Sequence, residues 1–237
     1  MSAANYQFLE PIGWEDFIRD YLQFGVYNGT TTIRAYLVYW DMLSERSRKL
    51  RMGKILAEYG RSMEEFFAFL YAMAEQAKGK EDVFFERLIF YTPSCLYNFV
   101  HSVDFNDIHG LLHLENPDIA AKRMGLSADD VQKFMTETIT LIQDLKDERK
   151  RGFKDIYNKL KHPFLVYSKV PTIILQGSSF GIMQKPDPDG HTTVDCVPII
   201  VSKKEALKYL QNVMMIGGSI IFLLRYFLLS HELRSET

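Results

Sequence analysis

Apolar residues recur along most of this chain at steps of three and four, the spacing that puts them on one face of a helix. Trp14, Phe17, Ile18, Tyr21, Leu22 and Phe24 predict a helix over Gly13–Gly25, and Asn28-Gly29 reads as a turn after it. Ile33, Tyr36, Leu37, Trp40 and Leu43 predict the next helix, Thr32–Lys49. Ser62-Met63-Glu64-Glu65 has the Ser-x-x-Glu spacing of a capping box and predicts a third helix that Gly79 closes. A fourth occupies residues 81–92, ahead of Pro93, and Ser94–His101 reads as one or two helical turns. Ser127 with Asp130 opens the longest pattern: Val131, Met135, Thr138, Ile142 and Leu145, continued by Phe153, Ile156 and Leu160 up to Pro163. This predicts one long helix or two stacked end to end, stopped near His162 because proline disfavours helical geometry in the residue before it.

The pattern then changes. FLVYSKVPTIILQG and TTVDCVPIIVS are rich in Val, Ile and Thr and are broken by Pro171 and Pro198, with a Pro/Asp/Gly turn between them. They predict two or three edge-type strands with a hairpin. Ser202-Lys203-Lys204-Glu205 is a second capping box, opening a C-terminal helix that runs to about Leu233. The fold class that follows is mainly α: a single helical-bundle domain over residues 1–237, with a small β-hairpin insertion at about 164–201 before a long C-terminal helix.

Composition adjusts this picture little. The 237 residues include 47% hydrophobic and 24% charged, ordinary globular usage, and the 17 Phe and 13 Tyr suit a bulky core. A net charge of −2 supplies no global basic field, so nucleic acid would need a local patch. Cys95 and Cys196 lie far apart with no metal or disulfide spacing, and the start of the chain has no basic-then-apolar leader. Both point to a reducing cytoplasm. Between Asn212 and Arg225 the apolar run is too short to span a bilayer, so Val213–Leu229 is read as a buried helix rather than a membrane segment.

Asn158-Lys159-Leu160-Lys161-His162 is the cluster with the most chemical content. On a helix, Asn158 and His162 lie one turn apart on one face, bringing an amide and an imidazole together. The imidazole suits general acid/base work, the amide can orient it or hold a phosphate oxygen, and Lys159 and Lys161 flank the pair. The bland alternative is a histidine capping the helix end. A second cluster, His101, Asp104, Asp107, His109, His113 and Glu115, contains an i, i+4 histidine pair with the spacing of a metal site. Gly110 stands where a zinc-protease glutamate would be and weakens the helix, so surface or packing histidines are the expectation and no metal is assigned. KPDPDGH, Lys185–His191, reads as a hairpin turn rather than a calcium loop. The positive run Arg46, Arg48, Lys49, Arg51 and Lys54 reads as a solvated helix end, with an anionic-partner patch as the alternative. No nucleotide-binding glycine loop and no nucleophile elbow is present, so no cofactor is expected.

A long helix ending in Asn158-x-x-x-His162 just before a turn resembles the HEPN families, small all-helical domains of prokaryotic toxin–antitoxin and defence systems. Many of their members are metal-independent RNases, and others only bind nucleotides or partners. The resemblance covers roughly Lys150–Pro163 and the helical context. The HEPN signature places an arginine five to seven residues before the histidine, where this chain has Asp155, Ile156 and Tyr157. Lys154 and Arg151 are the nearest upstream cations, roughly 12 and 16 Å from the histidine along a helix. The resemblance thus implies a non-catalytic or altered member that binds RNA, a nucleotide or a partner through His162, Asn158, Lys154, Lys159, Lys161 and Arg151. It also implies a homodimer with the paired motifs facing across a cleft. The alternatives are a metal-independent RNase using His162 and a purely structural protein–protein interaction module.

Overall fold

Two long helices organise the molecule, and the apolar run between Ser44 and Gly79 makes the first of them. The computed structural model describes residues 26–79, 83–148, 166–167, 178–183, 189 and 194–232. The predicted Gly13–Gly25 helix lies outside the described residues, as does everything between 149 and 165.

The chain enters through α1 (Val26–Leu37), and α2 runs unbroken over Glu45–Lys78, 34 residues. Ser44 starts α2 in extended backbone, its side chain accepting the Ser47 N–H at 3.3 Å, and the Gly79 N–H closes onto Glu75 and Gln76 carbonyls. Phe66, Phe67, Ala68, Phe69, Leu70, Ala72, Met73 and Ala74 are all buried, so this part of α2 is covered on every side. The capping box at Ser62 therefore does not start a helix. Ser62 is buried inside α2 and donates back to the Glu58 carbonyl at 3.0 Å. A cap contributes about 1 kcal/mol, less than the buried apolar face that continues through it.

The predicted helix at Thr32–Lys49 is likewise redrawn. It begins earlier, with Asn28-Gly29 inside α1, and stops at Leu37. Tyr39 takes left-handed backbone (φ 56°), and a short 3-10 turn, Trp40–Met42, sinks Trp40 into the core. A Cβ at Gly29 would stand 3.0 Å from Ser62 Oγ and 3.2 Å from Val213 Cγ1. The glycine is there because α1 crosses two other helices at that point.

Short elements follow: α3 (Phe84–Ile89), α4 (Pro93–Ser102), a 3-10 turn at Phe105–Asp107, α5 (Ile108–Leu112) and α6 (Pro117–Met124). Val83 offers α3 no side-chain cap. Gln76 of α2 does instead, its Oε1 accepting the Val83 and Phe84 N–H groups at 2.9 and 3.0 Å. Thr92 and Asn116 cap α4 and α6, each followed by proline in the first turn, and Gly125 ends α6 at φ 68°. Next comes α7 (Ala128–Glu148), with Ser127 Oγ both donating to Asp130 and accepting its N–H.

Three strands stand between α7 and the last helix: β1 (Val166–Tyr167), β2 (Ser178–Met183) and β3 (Val194–Ile199). They pair antiparallel in the order β1-β2-β3, with Ser178 opposite Ile199 and Met183 opposite Val194. Pro198 lies in β3, at the edge of that order among the described residues, the kind of strand in which proline is tolerated. The chain ends in α8 (Lys203–Glu232), 30 residues, opened by Ser202 accepting the Glu205 N–H at 3.1 Å.

The described structure is thus mainly helical, with eight α-helices among the described residues. The long α8 lies against α2 and α1 on one side and reaches α6 and α7 on the other. By length and apolarity α8 could also cross a membrane, and 56% of its most apolar window is buried inside the bundle.

The core is aromatic where α2 meets the short helices. Phe67 is fully buried, its ring 6.0 Å from Phe66 and 6.2 Å from Phe105. Phe67→Ala should cost about 3–5 kcal/mol in urea unfolding, because the surrounding helices cannot close a benzyl-sized void. A loss below about 1 kcal/mol would mean that this part of the core is loosely filled.

Candidate functional site

The residues predicted to carry chemistry, Arg151, Lys154, Asn158, Lys159, Lys161 and His162, lie outside the described residues. What the structure describes is the scaffold from which they follow. The buried stripe of α7, Val131, Met135, Thr138, Leu141, Ile142 and Leu145, keeps the predicted spacing. Thr138, mid-stripe and buried, bonds across to α8, its Oγ1 standing 3.2 Å from Ser219 Oγ. The helix register is therefore fixed up to Glu148, three residues before Arg151.

Glu148 is itself held. The Tyr59 hydroxyl, from the middle of α2, donates to Glu148 Oε2 at 2.6 Å and accepts from Asn212 Nδ2 of α8 at 3.2 Å. The Tyr209 ring lies 5.1 Å from that of Tyr59. Burial, and then the neighbouring Glu148 charge, push the Tyr59 phenol far above its ordinary value, so it stays protonated and can only donate to the carboxylate. Burial with Glu205 and Glu148 nearby pushes Tyr209 up to about 12. One hydroxyl thus ties three helices together where α7 hands over to the predicted site. No local signal points to this node: its members are 89 and 153 residues apart, and a tyrosine on an apolar stripe reads as core.

The histidine pair resolves differently. His109 lies within α5, but α5 ends at Leu112 and His113 takes left-handed backbone (φ 48°), so the two do not share a helix face. The His109 ring meets Tyr226 edge-on at 5.6 Å, and burial holds its pKa below the ordinary value. Gly110 has a local reason to be glycine: Asp107 Oδ1 accepts its N–H at 2.9 Å, and a Cβ there would lie 2.3 Å from Asp107 Oδ2. No group of three His, Cys, Asp or Glu able to hold a metal occurs among the described residues.

Glu115 is fixed by its backbone. Its N–H donates to Ser230 Oγ at 3.0 Å and its carbonyl accepts from the Tyr226 hydroxyl at 2.9 Å. Its carboxylate, 9% exposed, lies 3.7 Å from an Arg123 guanidinium nitrogen that also donates to the Leu229 carbonyl at 2.6 Å. These contacts dock α6 onto the end of α8.

The positive run at the start of α2 serves the fold. Arg51 donates to the Tyr36 and Val38 carbonyls at 2.9 and 2.6 Å, and Arg48 to those of Trp40 and Asp41 at 3.3 and 3.1 Å. These carbonyls lie at the end of α1 and in the 3-10 turn, where backbone partners run out, although Trp40 also accepts the Leu43 N–H at 3.2 Å. Lys49 pairs with Glu45 at 2.7 Å.

Tyr59→Phe should destabilise the chain by about 1–3 kcal/mol, since it strips a buried partner from both Glu148 and Asn212. It should also speed tryptic cleavage at Arg149–Arg151 relative to sites in α2. Unchanged stability and cleavage would mean that the hydroxyl does not hold the end of α7. For His109 the lowered pKa favours the neutral folded form, so its contribution is full above pH 6.5 and lost as pH falls below that. His109→Gln should therefore narrow the stability gap between about pH 7.5 and about pH 5.5, measured by urea midpoints. An unchanged gap would place the acid sensitivity elsewhere. Compared with known proteins, the chain matches no family model, no curated protein and no solved structure.

Proposed function

We propose that this chain is a non-catalytic, HEPN-like helical binding protein that holds RNA or a nucleotide by its phosphates, acting as a homodimer. The observation that carries this reading is the run Asn158-Lys159-Leu160-Lys161-His162, which follows α7 at helical spacing. Lys154 and Arg151 extend it upstream. An amide, an imidazole and four cations within twelve residues offer donors to phosphate oxygens in a protein whose net charge of −2 gives no general attraction for them.

Two further points support it. The Tyr59–Glu148–Asn212 node holds the last described turn of α7, just ahead of the segment in sequence, and a phosphate site needs such a fixed support. The absence of the signature arginine from positions 155–157 favours binding over cleavage. Two such segments facing each other in a dimer would double the local positive charge. A place in the cytoplasm without membrane insertion goes with this reading, because α8 buries over half of its most apolar window in the bundle.

The test is fluorescence anisotropy with a short single-stranded RNA at about 50 and about 200 mM salt. The parent should bind, and Lys159→Ala/Lys161→Ala should weaken binding about tenfold or more and flatten its salt dependence. Absence of binding by the folded parent would remove the nucleic-acid reading and leave an interaction module. RNA cleaved by the parent in EDTA, and spared by His162→Ala, would replace it with the metal-independent RNase.

A further inference from the structure

Beside α8, away from the 151–162 segment in sequence, the bundle leaves a cavity of about 600 Å³. Its walls are Met124 and Leu126 after α6, Phe134 of α7, and Ile221, Phe222 and Leu228 of α8. Two guanidinium groups, Arg123 and Arg225, are set into this apolar lining. That volume lies inside the range typical of small-molecule sites, and a mostly apolar wall with few convergent polar groups is their usual composition. A smaller hollow of about 290 Å³, lined by Arg34, Met214 and Gly217 among others, shares Gly218 and Ile221 with it. The two are therefore neighbours along α8. At the junction, a Cβ added to Gly218 would meet nothing within 4 Å.

The charges define what the trough can take. Arg123 is committed: it pairs with the buried Glu115 carboxylate and donates to the Leu229 carbonyl. Those opposite charges cancel locally. Arg225 is exposed and makes no ion pair or hydrogen bond among the described residues, which leaves one uncompensated positive charge on the wall of the larger cavity; Arg34, in the smaller hollow, reaches Met214 Sδ. The Phe134 ring, 43% exposed, stands 5.3 Å from Phe222 and leaves aromatic surface open to an apolar guest. One cation beside an apolar trough of this volume complements a single anionic head on an apolar body. A polyanion would face the Glu115 carboxylate behind Arg123, and a cation would face Arg225.

We infer that the trough along α8 is a binding site for a long-chain aliphatic carboxylate, with the carboxylate on Arg225 and the chain lying past Phe134, Phe222 and Ile221 toward Gly218. A planar guanidinium can hold a carboxylate by two parallel N–H donors, and the apolar wall removes the chain from water. This site stands independently of the RNA reading, since it shares no residue with the predicted phosphate segment.

The test is calorimetric titration of the full chain with dodecanoate below its micelle concentration. Dodecanol, acetate and dodecyltrimethylammonium serve as comparison ligands. Dodecanoate should bind saturably at one site per chain, at least about tenfold more tightly than dodecanol, while acetate should not bind. Arg225→Gln should weaken dodecanoate about tenfold or more and leave dodecanol unchanged. Gly218→Leu, which fills open space on a helix and should not harm folding, should weaken both. Arg123 is not the residue to change, because its loss would strand Glu115. Absence of saturable dodecanoate binding by the folded parent would overturn the assignment. Equally tight binding of dodecyltrimethylammonium, or binding untouched by both variants, would overturn it too.

Discussion

Burial of the aromatic stretch of α2 against α8 is the constraint that everything else accommodates. From Phe66 to Ala74 only Tyr71 is not buried, so this part of α2 must be enclosed on all sides. The long α8 covers one side, α1 crosses both helices, and the short α3, α4 and α5 cover the rest. Each short element then shows how it was fitted to that demand. Gln76, on α2 itself, caps α3 because α3 has no cap of its own. Gly29 lets α1 come within a Cβ radius of its neighbours. Arg48 and Arg51 terminate α1 from the first turns of α2.

Several polar groups drawn into this interior link one helix to another. Tyr59 joins Glu148 and Asn212, Thr138 meets Ser219, and Ser230 with Tyr226 grips the backbone of Glu115. Each connection crosses from one long helix to an element it packs on. Helix faces that are apolar alone can slide. Directional bonds of this kind fix register, because a slip would strand buried donors and acceptors. The α7 helix in particular is fixed both in mid-stripe, at Thr138, and at Glu148, its last described residue.

Helical character and most helix positions were legible from spacing alone, and the start of α7 at Ser127 and of α8 at Ser202 was legible from their caps. What the spacing could not give was continuity. A capping box inside α2 and an Asn-Gly inside α1 carried local signals for breaks, and tertiary burial overrode both. The opposite error came at Leu37, where the apolar pattern ran on through Trp40 and Leu43 but the backbone turned left-handed at Tyr39. The i, i+4 spacing of His109 and His113 made no shared face, as the helix-weakening Gly110 between them suggested: the five-residue α5 ends at Leu112, and His109 packs on Tyr226. The tyrosine node and the trough along α8 were illegible in the sequence. Both depend on residues roughly a hundred positions apart, and Arg225 reads in isolation only as a charge that interrupts an apolar run.

Native-state hydrogen exchange reads the coupling of the two long helices amide by amide. If α2 and α8 form one cooperative unit around which the remainder is assembled, the amides from about Leu56 to about Met73 and from about Leu210 to about Phe227 should exchange only through global unfolding. They should share one free energy and one denaturant dependence, while α3 and the strands open at lower cost. Exchange of either long helix through a local opening, with the other still protected, would contradict the account.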